Sequence, residues 1–198
     1  MPALAAFGLI AATVGTAQAS PAPSPLFGAF KAACFDVSKF DGIGAAATAA
    51  GWTEVAEAQA DPRVAAIVAK GREAMRKEAP EAKVSGQMFR QRFDGRDAWL
   101  VTSRIETAAR SNKGAGWANG CRAYDLDAPA APSREAIDGW VGTAPDTVQA
   151  NGTASKRRWE PWQPGVSLEI TYVPRGHPLG ASYGIQGLIF VSQSIGGF

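Results

Sequence analysis

Residues 84–107 have the sequence VSGQMFRQRFDGRDAWLVTSRIET, and this stretch decides the fold class. Apolar and polar residues alternate on both sides of Asp94-Gly95, as in two strands that each bury one face. Asp-Gly favours a two-residue turn of type I′, because both residues tolerate a positive φ. The sequence therefore predicts an antiparallel hairpin in which one face carries Phe89, Gln91, Phe93, Ala98 and Leu100. The predicted cross-strand pairs are Phe93 with Arg96 and Phe89 with Leu100.

Three helices are predicted before this hairpin. The first places Phe27, Phe30 and Cys34 at helical spacing. The second begins at Asp41 as N-cap and ends at Gly51, which is followed by Trp52. The third begins at Asp61-Pro62, an N-cap followed by proline at the first helical position, and ends at Pro80. Its apolar stripe consists of Val64, Ile67, Val68, Gly71 and Met75.

The segments after the hairpin complete an α+β fold. Residues 117–126 form a third predicted strand, and Pro132-Ser133 with Glu135 opens a short helix that Gly142 ends. Three further strands are predicted at residues 153–162, 167–174 and 184–194. Short turns between strands favour antiparallel pairing. We therefore predict N-terminal helices packed on a mainly antiparallel sheet, in the order helices-βββ-α-βββ.

The N-terminal residues have the composition of a signal peptide. An uncharged apolar run from Ala3 to Val14 precedes the triplet Ala17-Gln18-Ala19, which fits a cleavage site. We predict a signal peptide over 1–19, a flexible lead-in over 20–25 and a single domain over 26–198. A periplasmic or secreted location follows, without a transmembrane segment after cleavage. The alternative is a buried N-terminal helix.

The chain contains two cysteines, Cys34 and Cys121, so one intramolecular pairing is possible. The export signal favours a structural disulfide, and the alternative is two buried free thiols. Closing so long a loop stabilises the fold by about 4.5 kcal/mol in the chain-entropy description. The bridge would attach the first helix to the third strand.

Charge and motifs exclude several function classes. The net charge is +2, with an excess of Lys and Arg in residues 61–122. Such a segment suits an anionic partner or is a solvated face, and the export signal disfavours nucleic acid. Neither a P-loop nor a G-x-G-x-x-G is present, so no cofactor is predicted. The cysteine and histidine content is too low for an ordinary zinc site, and no metal ligand is predicted.

Catalytic candidates are few. His177 is the one histidine and lies in a turn-like stretch without a nucleophile motif. The pairs Asp36 with Asp41 and Asp125 with Asp127 could serve a glycosidase or bind calcium, although capping explains both. No catalytic residue is therefore predicted, and whether the protein is an enzyme is left open.

One segment has the composition of a ligand-binding surface. Residues 156–165, KRRWEPWQPG, bring Arg157, Arg158, Trp159 and Trp162 together. Cations interleaved with indoles bind sugars and anionic polymers by stacking and charge. Alternation along a strand places Arg157 and Trp159 on one side and Arg158 on the other. The alternative is that the indoles belong to the core and the charges protect an edge strand.

Cys34, Gly51-Trp52 and the segment Cys121-Arg122-Ala123-Tyr124 resemble features of small exported proteins of alphaproteobacteria. The resemblance extends over about residues 30–125. It implies a periplasmic location and supplies no catalytic residue, because no activity is known for that group.

Two functions from different classes are consistent with the sequence. The first is a non-enzymatic, envelope-associated protein that binds an anionic envelope polymer or a protein partner through its sheet. The second is a hydrolase that acts on an envelope polymer through carboxylates or His177. A pocket that holds His177 or two facing carboxylates would favour the hydrolase.

Overall fold

The computed structural model describes residues 24–108 and 115–197, apart from the side chains of Ser182 and Tyr183. The predicted signal peptide lies outside the described residues. The helices are α1 (Pro25–Cys34), α2 (Ile43–Ala49), α3 (Pro62–Glu78), α4 (Arg134–Val141) and α5 (Pro178–Tyr183). The strands are β1 (Thr53–Glu54), β2 (Lys83–Ser85), β3 (Met88–Phe93), β4 (Arg96–Thr107), β5 (Gly116–Asp125), β6 (Thr147–Asn151), β7 (Ala154–Gln163), β8 (Val166–Val173) and β9 (Gly187–Gly196).

The strands form one nine-stranded sheet, and the predicted α+β class is confirmed. Its order is β1-β3-β4-β5-β9-β8-β7-β6, and β2 pairs with the far half of β4. All the described pairings are antiparallel. The sheet is therefore built mainly from hairpins, except that β1 pairs with β3 across α3 and that β9 returns to lie between β5 and β8.

The Asp94-Gly95 hairpin forms in the predicted register. Phe93 pairs with Arg96 and Phe89 pairs with Leu100. Asp94 and Gly95 have φ values of 48° and 79°, the positive φ that the turn requires. Phe89, Phe93, Ala98 and Leu100 are buried together, so the predicted face is the buried one.

Helix boundaries agree with most of the capping signals. The Asp61 carboxylate accepts a hydrogen bond from the Arg63 amide at 2.8 Å, as expected of an N-cap. The Ser133 hydroxyl caps α4, and Gly142 ends that helix with a φ of 88°. The prediction for Asp41 is wrong, because a 3-10 turn over Phe40–Gly42 precedes α2 and no side chain caps this helix.

The sheet has two unlike faces. We call the side that carries Leu100, Cys121 and Phe190 the closed face, because α1, α2 and α4 pack over it. We call the side that carries Val101, Tyr124 and Ile189 the open face, because among the described helices it is α3 that packs across part of it. The sequence predicted one helical layer, whereas the third predicted helix lies on the opposite side of the sheet from the first two.

The predicted disulfide between Cys34 and Cys121 is confirmed, with a Cα–Cα distance of 5.6 Å. It joins the end of α1 to the middle of β5, so the helical layer is covalently attached to the sheet. Both cysteines are fully buried. The bridge belongs to the core of the closed face.

Three short elements and one break between strands were not predicted. They are β1, β6 and α5, together with the break that separates β2 from β3. At this break a Cβ on Gly86 would lie 2.1 Å from the carbonyl oxygen of Thr102, so β4 approaches too closely for a larger residue. The Gln87 amide instead donates to the Thr102 hydroxyl at 2.9 Å. These interactions are long-range and leave no local pattern.

Candidate ligand-binding groove

The open face contains a groove, because α3 covers only part of it. A cavity of about 260 Å³ lies beneath α3, between Gly71 and Met75 of that helix and Val101 of the sheet. A second cavity of about 610 Å³ continues toward β6 and α5. Ile67, Arg122 and Tyr124 line both cavities, so we treat the two as one groove. The larger cavity falls within the size range of ligand pockets, and the smaller one lies just below it.

The floor of the groove consists of two rows of side chains that cross four strands. The first row runs through Val101, Arg122, Val191 and Glu169 on β4, β5, β9 and β8. The second row runs through Tyr124, Ile189, Thr171 and Lys156 on β5, β9, β8 and β7. Directly opposite residues have Cβ atoms about 5 Å apart, so each row is a continuous surface. Val191 therefore separates Arg122 from Glu169 in the first row, and Ile189 separates Tyr124 from Thr171 in the second.

Arg122 lies near the middle of the floor, between Val101 and Val191. Its Nη1 donates to the hydroxyl of Ser103 at 2.9 Å. A Cβ on Gly120 would lie 2.7 Å from this Nη1, so glycine leaves room for the guanidinium to lie along β5. None of the ion pairs within the described residues includes Arg122. Its charge thus faces the groove with one neutral partner.

Tyr124 is on the same strand and face as Arg122, two residues further along. Its ring packs in the core of the open face beside Ile189. Burial raises the pKa of its hydroxyl, although the nearby charge of Arg122 opposes this effect. The hydroxyl is therefore protonated at neutral pH and can donate a hydrogen bond. Within the described residues it has no hydrogen-bond partner.

The other charged side chains that line the groove are each engaged in an ion pair. Lys156 forms an ion pair with Glu169 at 2.6 Å, and Glu169 also accepts from the Thr171 hydroxyl at 3.1 Å. Glu169 is two strands from Arg122, about 10 Å at ordinary strand spacing. Arg122 therefore supplies the uncompensated charge on the floor.

The four residues of the predicted ligand-binding segment are distributed over different environments. Trp159 is 1% exposed, and its Nε1 donates to the carbonyl of Thr143 at 3.0 Å. Trp162 packs on the closed face against Phe30 and other aromatic rings. These four side chains therefore do not share one surface, and the two indoles belong to the core, which was the alternative interpretation.

The two arginines of that segment also differ. Arg157 pairs with Asp138 of α4 at 3.3 Å and is largely buried. Arg158 lies on the other side of β7 and pairs with Glu160 at 2.6 Å. Strand alternation separates them, as the sequence predicted. Arg158 is the well-exposed member of the four.

The catalytic candidates are engaged in local interactions. His177 caps α5, since its Nδ1 accepts from the Leu179 amide at 3.2 Å, and its Nε2 lies 3.1 Å from the Asn151 carbonyl. Asp125 and Asp127 bind Arg96 and Arg63 at 3.1 and 2.9 Å.

The other candidate pair of carboxylates is Asp36 and Asp41. Asp36 pairs with Lys39 at 2.6 Å, and its pKa is lowered by this hydrogen bond, whereas Asp41 lies in the 3-10 turn before α2. No group of three or more metal-binding side chains occurs within the described ranges 24–108 and 115–197.

Sequence reasoning did not assign a ligand role to Arg122 and Tyr124. The segment Gly120-Cys121-Arg122-Ala123-Tyr124 nevertheless contained a signal. Alternation places Cys121 and Ala123 on one face and Arg122 and Tyr124 on the other, so a cation lies in the middle of a strand that is otherwise buried. What could not be predicted is that no carboxylate of the described residues lies beside it, because its neighbours come from β4 and β9.

Comparisons with known proteins supply no relative on which a function could be based. The chain matches no family model, and neither the curated proteins nor the solved structures include a significant match. The resemblance to exported alphaproteobacterial proteins stays a prediction. Among the helices within the described residues, none is long and apolar enough to cross a membrane.

Proposed function

We propose that this is an exported, non-enzymatic binding protein whose ligand lies in the groove of the open face. The observation that carries this proposal is the groove itself, a concave surface of mostly apolar side chains with one uncompensated arginine at its centre. Ligand sites commonly combine an apolar lining with a few polar groups that orient the ligand.

The polar groups of the groove support binding better than hydrolysis. Arg122 and the Tyr124 hydroxyl are hydrogen-bond donors at neutral pH, and neither can accept a proton from water. Glu169 is the carboxylate that lines the larger cavity, and it is already paired with Lys156. His177 uses one ring nitrogen to cap α5 and directs the other at the Asn151 carbonyl. A hydrolase would need a free general base facing the groove.

Filling the groove tests the proposal. Thr171 lies in the floor, so Thr171→Phe places a ring in the larger cavity on a strand that favours aromatic residues. Thr147→Phe makes the same change on β6, at an exposed position that does not line the groove. The binding of an uncharged environment-sensitive dye such as Nile red can be followed by fluorescence. We expect Thr171→Phe to weaken it at least about tenfold, which corresponds to the burial of roughly two methylenes.

Thr147→Phe should bind the dye as the unchanged protein does, and both variants should unfold at similar urea concentrations. Dye binding that both substitutions leave intact, or no binding at all, would contradict the assignment of the groove.

Export supplies the second part of the proposal. The confirmed disulfide is consistent with an oxidising compartment, since disulfides persist in secreted and periplasmic proteins. We expect cleavage after Ala19, so that the mature protein begins at Ser20. Mass spectrometry of protein recovered from a bacterial periplasm measures this directly. A secreted form that retains Met1 would refute it.

A further inference from the structure

The groove combines one positive charge with an apolar floor, and this combination defines a ligand class. We infer that the ligand is an aliphatic monocarboxylate whose carboxylate is bound by Arg122 while its hydrocarbon chain lies on the apolar floor. This inference rests on the proposed function and specifies which chemistry the groove recognises.

The charge of the head group follows from the charges in the groove. Lys156 pairs with Glu169, and Arg72 of α3 pairs with Glu57. Arg122 therefore contributes the net charge of one. A carboxylate matches this charge, whereas a phosphate monoester carries about −1.5 to −2 at neutral pH and would leave an excess of negative charge. Arginine also presents parallel N–H groups that fit the two oxygens of a carboxylate.

The orientation of Arg122 favours such a contact before any ligand arrives. The Ser103 hydroxyl holds Nη1 at 2.9 Å, and the absence of a side chain at Gly120 lets the guanidinium lie along the strand. A fixed donor loses less conformational entropy on binding than a flexible surface lysine. The hydroxyl of Tyr124, on the same face of β5, supplies a further donor toward the groove.

The apolar part of the ligand follows from what surrounds Arg122. Val101 and Val191 flank it on the neighbouring strands, and Ile189 lies diagonally across from it beside Tyr124. Ile67 of α3 lines the groove from above. These side chains cannot hydrogen-bond to a sugar or a peptide, so a hydrocarbon chain is the complement that leaves no polar group unsatisfied.

Displacement of Nile red measures the preference for each ligand. Octanoate, decanoate and dodecanoate are compared with dodecanol and dodecyl phosphate, dodecanol below its solubility limit and the others below their micelle concentrations. We expect the affinity of the carboxylates to rise by up to roughly fourfold for each added methylene that becomes buried. Dodecanoate should bind at least about tenfold more tightly than dodecanol, because hydrogen bonds to charged groups are stronger than those between neutral groups. Dodecyl phosphate should bind more weakly than dodecanoate.

A matched pair of arginine variants assigns the effect to one residue. Arg122→Gln should weaken dodecanoate binding about tenfold or more and leave dodecanol binding unchanged. Arg90→Gln changes an arginine on the open face that pairs with Asp97 and does not line the groove, and it should alter neither affinity.

The outcomes separate this inference from the proposed function. If dodecanol and dodecanoate bind equally and Arg122→Gln has no effect, the groove binds apolar molecules and the inference about the head group is wrong. Tighter binding of dodecyl phosphate than of dodecanoate would also overturn the assignment of a carboxylate head group. If neither compound displaces the dye but Thr171→Phe still abolishes dye binding, the ligand class is wrong and the groove assignment stands. If neither compound displaces the dye and Thr171→Phe also leaves dye binding intact, the proposed function itself is refuted.

Discussion

The two faces of the sheet are stabilised by different means. On the closed face, three helices and a disulfide cover a core rich in aromatic rings, in which Phe27, Phe30, Trp140 and Phe190 contact one another. On the open face, α3 packs on a smaller apolar cluster and is also held by partly exposed ion pairs, from Arg63 to Asp127 and from Arg72 to Glu57.

The difference has a physical consequence. The aromatic rings of the closed face pack against one another, whereas α3 has Val64 as its fully buried side chain and leaves part of the volume beneath it unfilled. The closed face therefore supplies stability and the open face supplies the groove. If this division is correct, substitutions on the closed face should affect unfolding, and substitutions on the open face should affect binding.

The largest effect is expected at Trp159 of the closed face. Trp159→Ala removes a fully buried ring and its hydrogen bond to Thr143, and should destabilise the protein by about 3 to 5 kcal/mol. Trp159→Phe retains most of the ring packing and should cost clearly less. Val191→Ala, on the open face, should cost less than about 1.5 kcal/mol, because this side chain is only half buried. Urea unfolding measures all three, and equal losses at the two faces would break the comparison.

The disulfide is expected to have the next largest effect. Replacing both Cys34 and Cys121 by alanine should lower the free energy of unfolding by about 2 to 4 kcal/mol, because the unfolded chain regains the entropy of a loop with a sequence separation of 87. Reduced protein should lose a similar amount, and the double variant should be insensitive to reductant. Dye binding by the folded variant should be unchanged within about twofold. A variant as stable as the oxidised protein would contradict the role of the bridge.

A smaller and pH-dependent effect is expected at Arg63 on the open face. Hydrogen bonds from Arg63 lower the pKa of Asp61 and of Asp127, so both carboxylates stay ionised to lower pH in the folded protein than in the unfolded chain. The resulting stabilisation is fully present above about pH 5. It is lost as the pH falls below about 4, where an unfolded Asp titrates, and on through the lowered pKa values of the folded protein.

Arg63→Gln should therefore cost about 1 kcal/mol at pH 7, since these groups are partly exposed and water screens them. The free energies of unfolding of the two proteins should differ at pH 7 and should be similar at pH 3. A stability difference that grows as the pH is lowered would contradict this prediction. Lys77→Gln, in an exposed pair with Glu73, is a matched control with a smaller expected change.

The smallest predicted effect concerns Gly71 in the middle of α3. A Cβ at this position would meet no atom within 4 Å, so Gly71→Ala relieves the entropy cost of a helical glycine without a clash. We expect a gain of roughly 0.5 to 1 kcal/mol, seen as a higher urea midpoint. Destabilisation would show that α3 packs more closely on the sheet than the groove requires.

How much could be predicted from the sequence differs between the same two faces. Local signals sufficed for the Asp94-Gly95 hairpin, for the start of α3 at Asp61-Pro62 and for the pairing of the only two cysteines. They could not show which side of the sheet α3 occupies, because its apolar stripe would fit either face. The groove escaped prediction for a related reason. It is defined by the volume that α3 leaves uncovered and by the fact that Arg122 has no carboxylate beside it in the described part of the chain. Both depend on long-range pairing.

The most direct test of the division between the two faces is a backbone amide NMR titration of the oxidised protein with dodecanoate. We expect the shifts to change for Arg122, Tyr124 and Val191 on the floor and for Ile67 on α3, and to stay unchanged in α1 and α4. Changes centred on α1 or α4, or none at concentrations that displace the dye, would contradict the account.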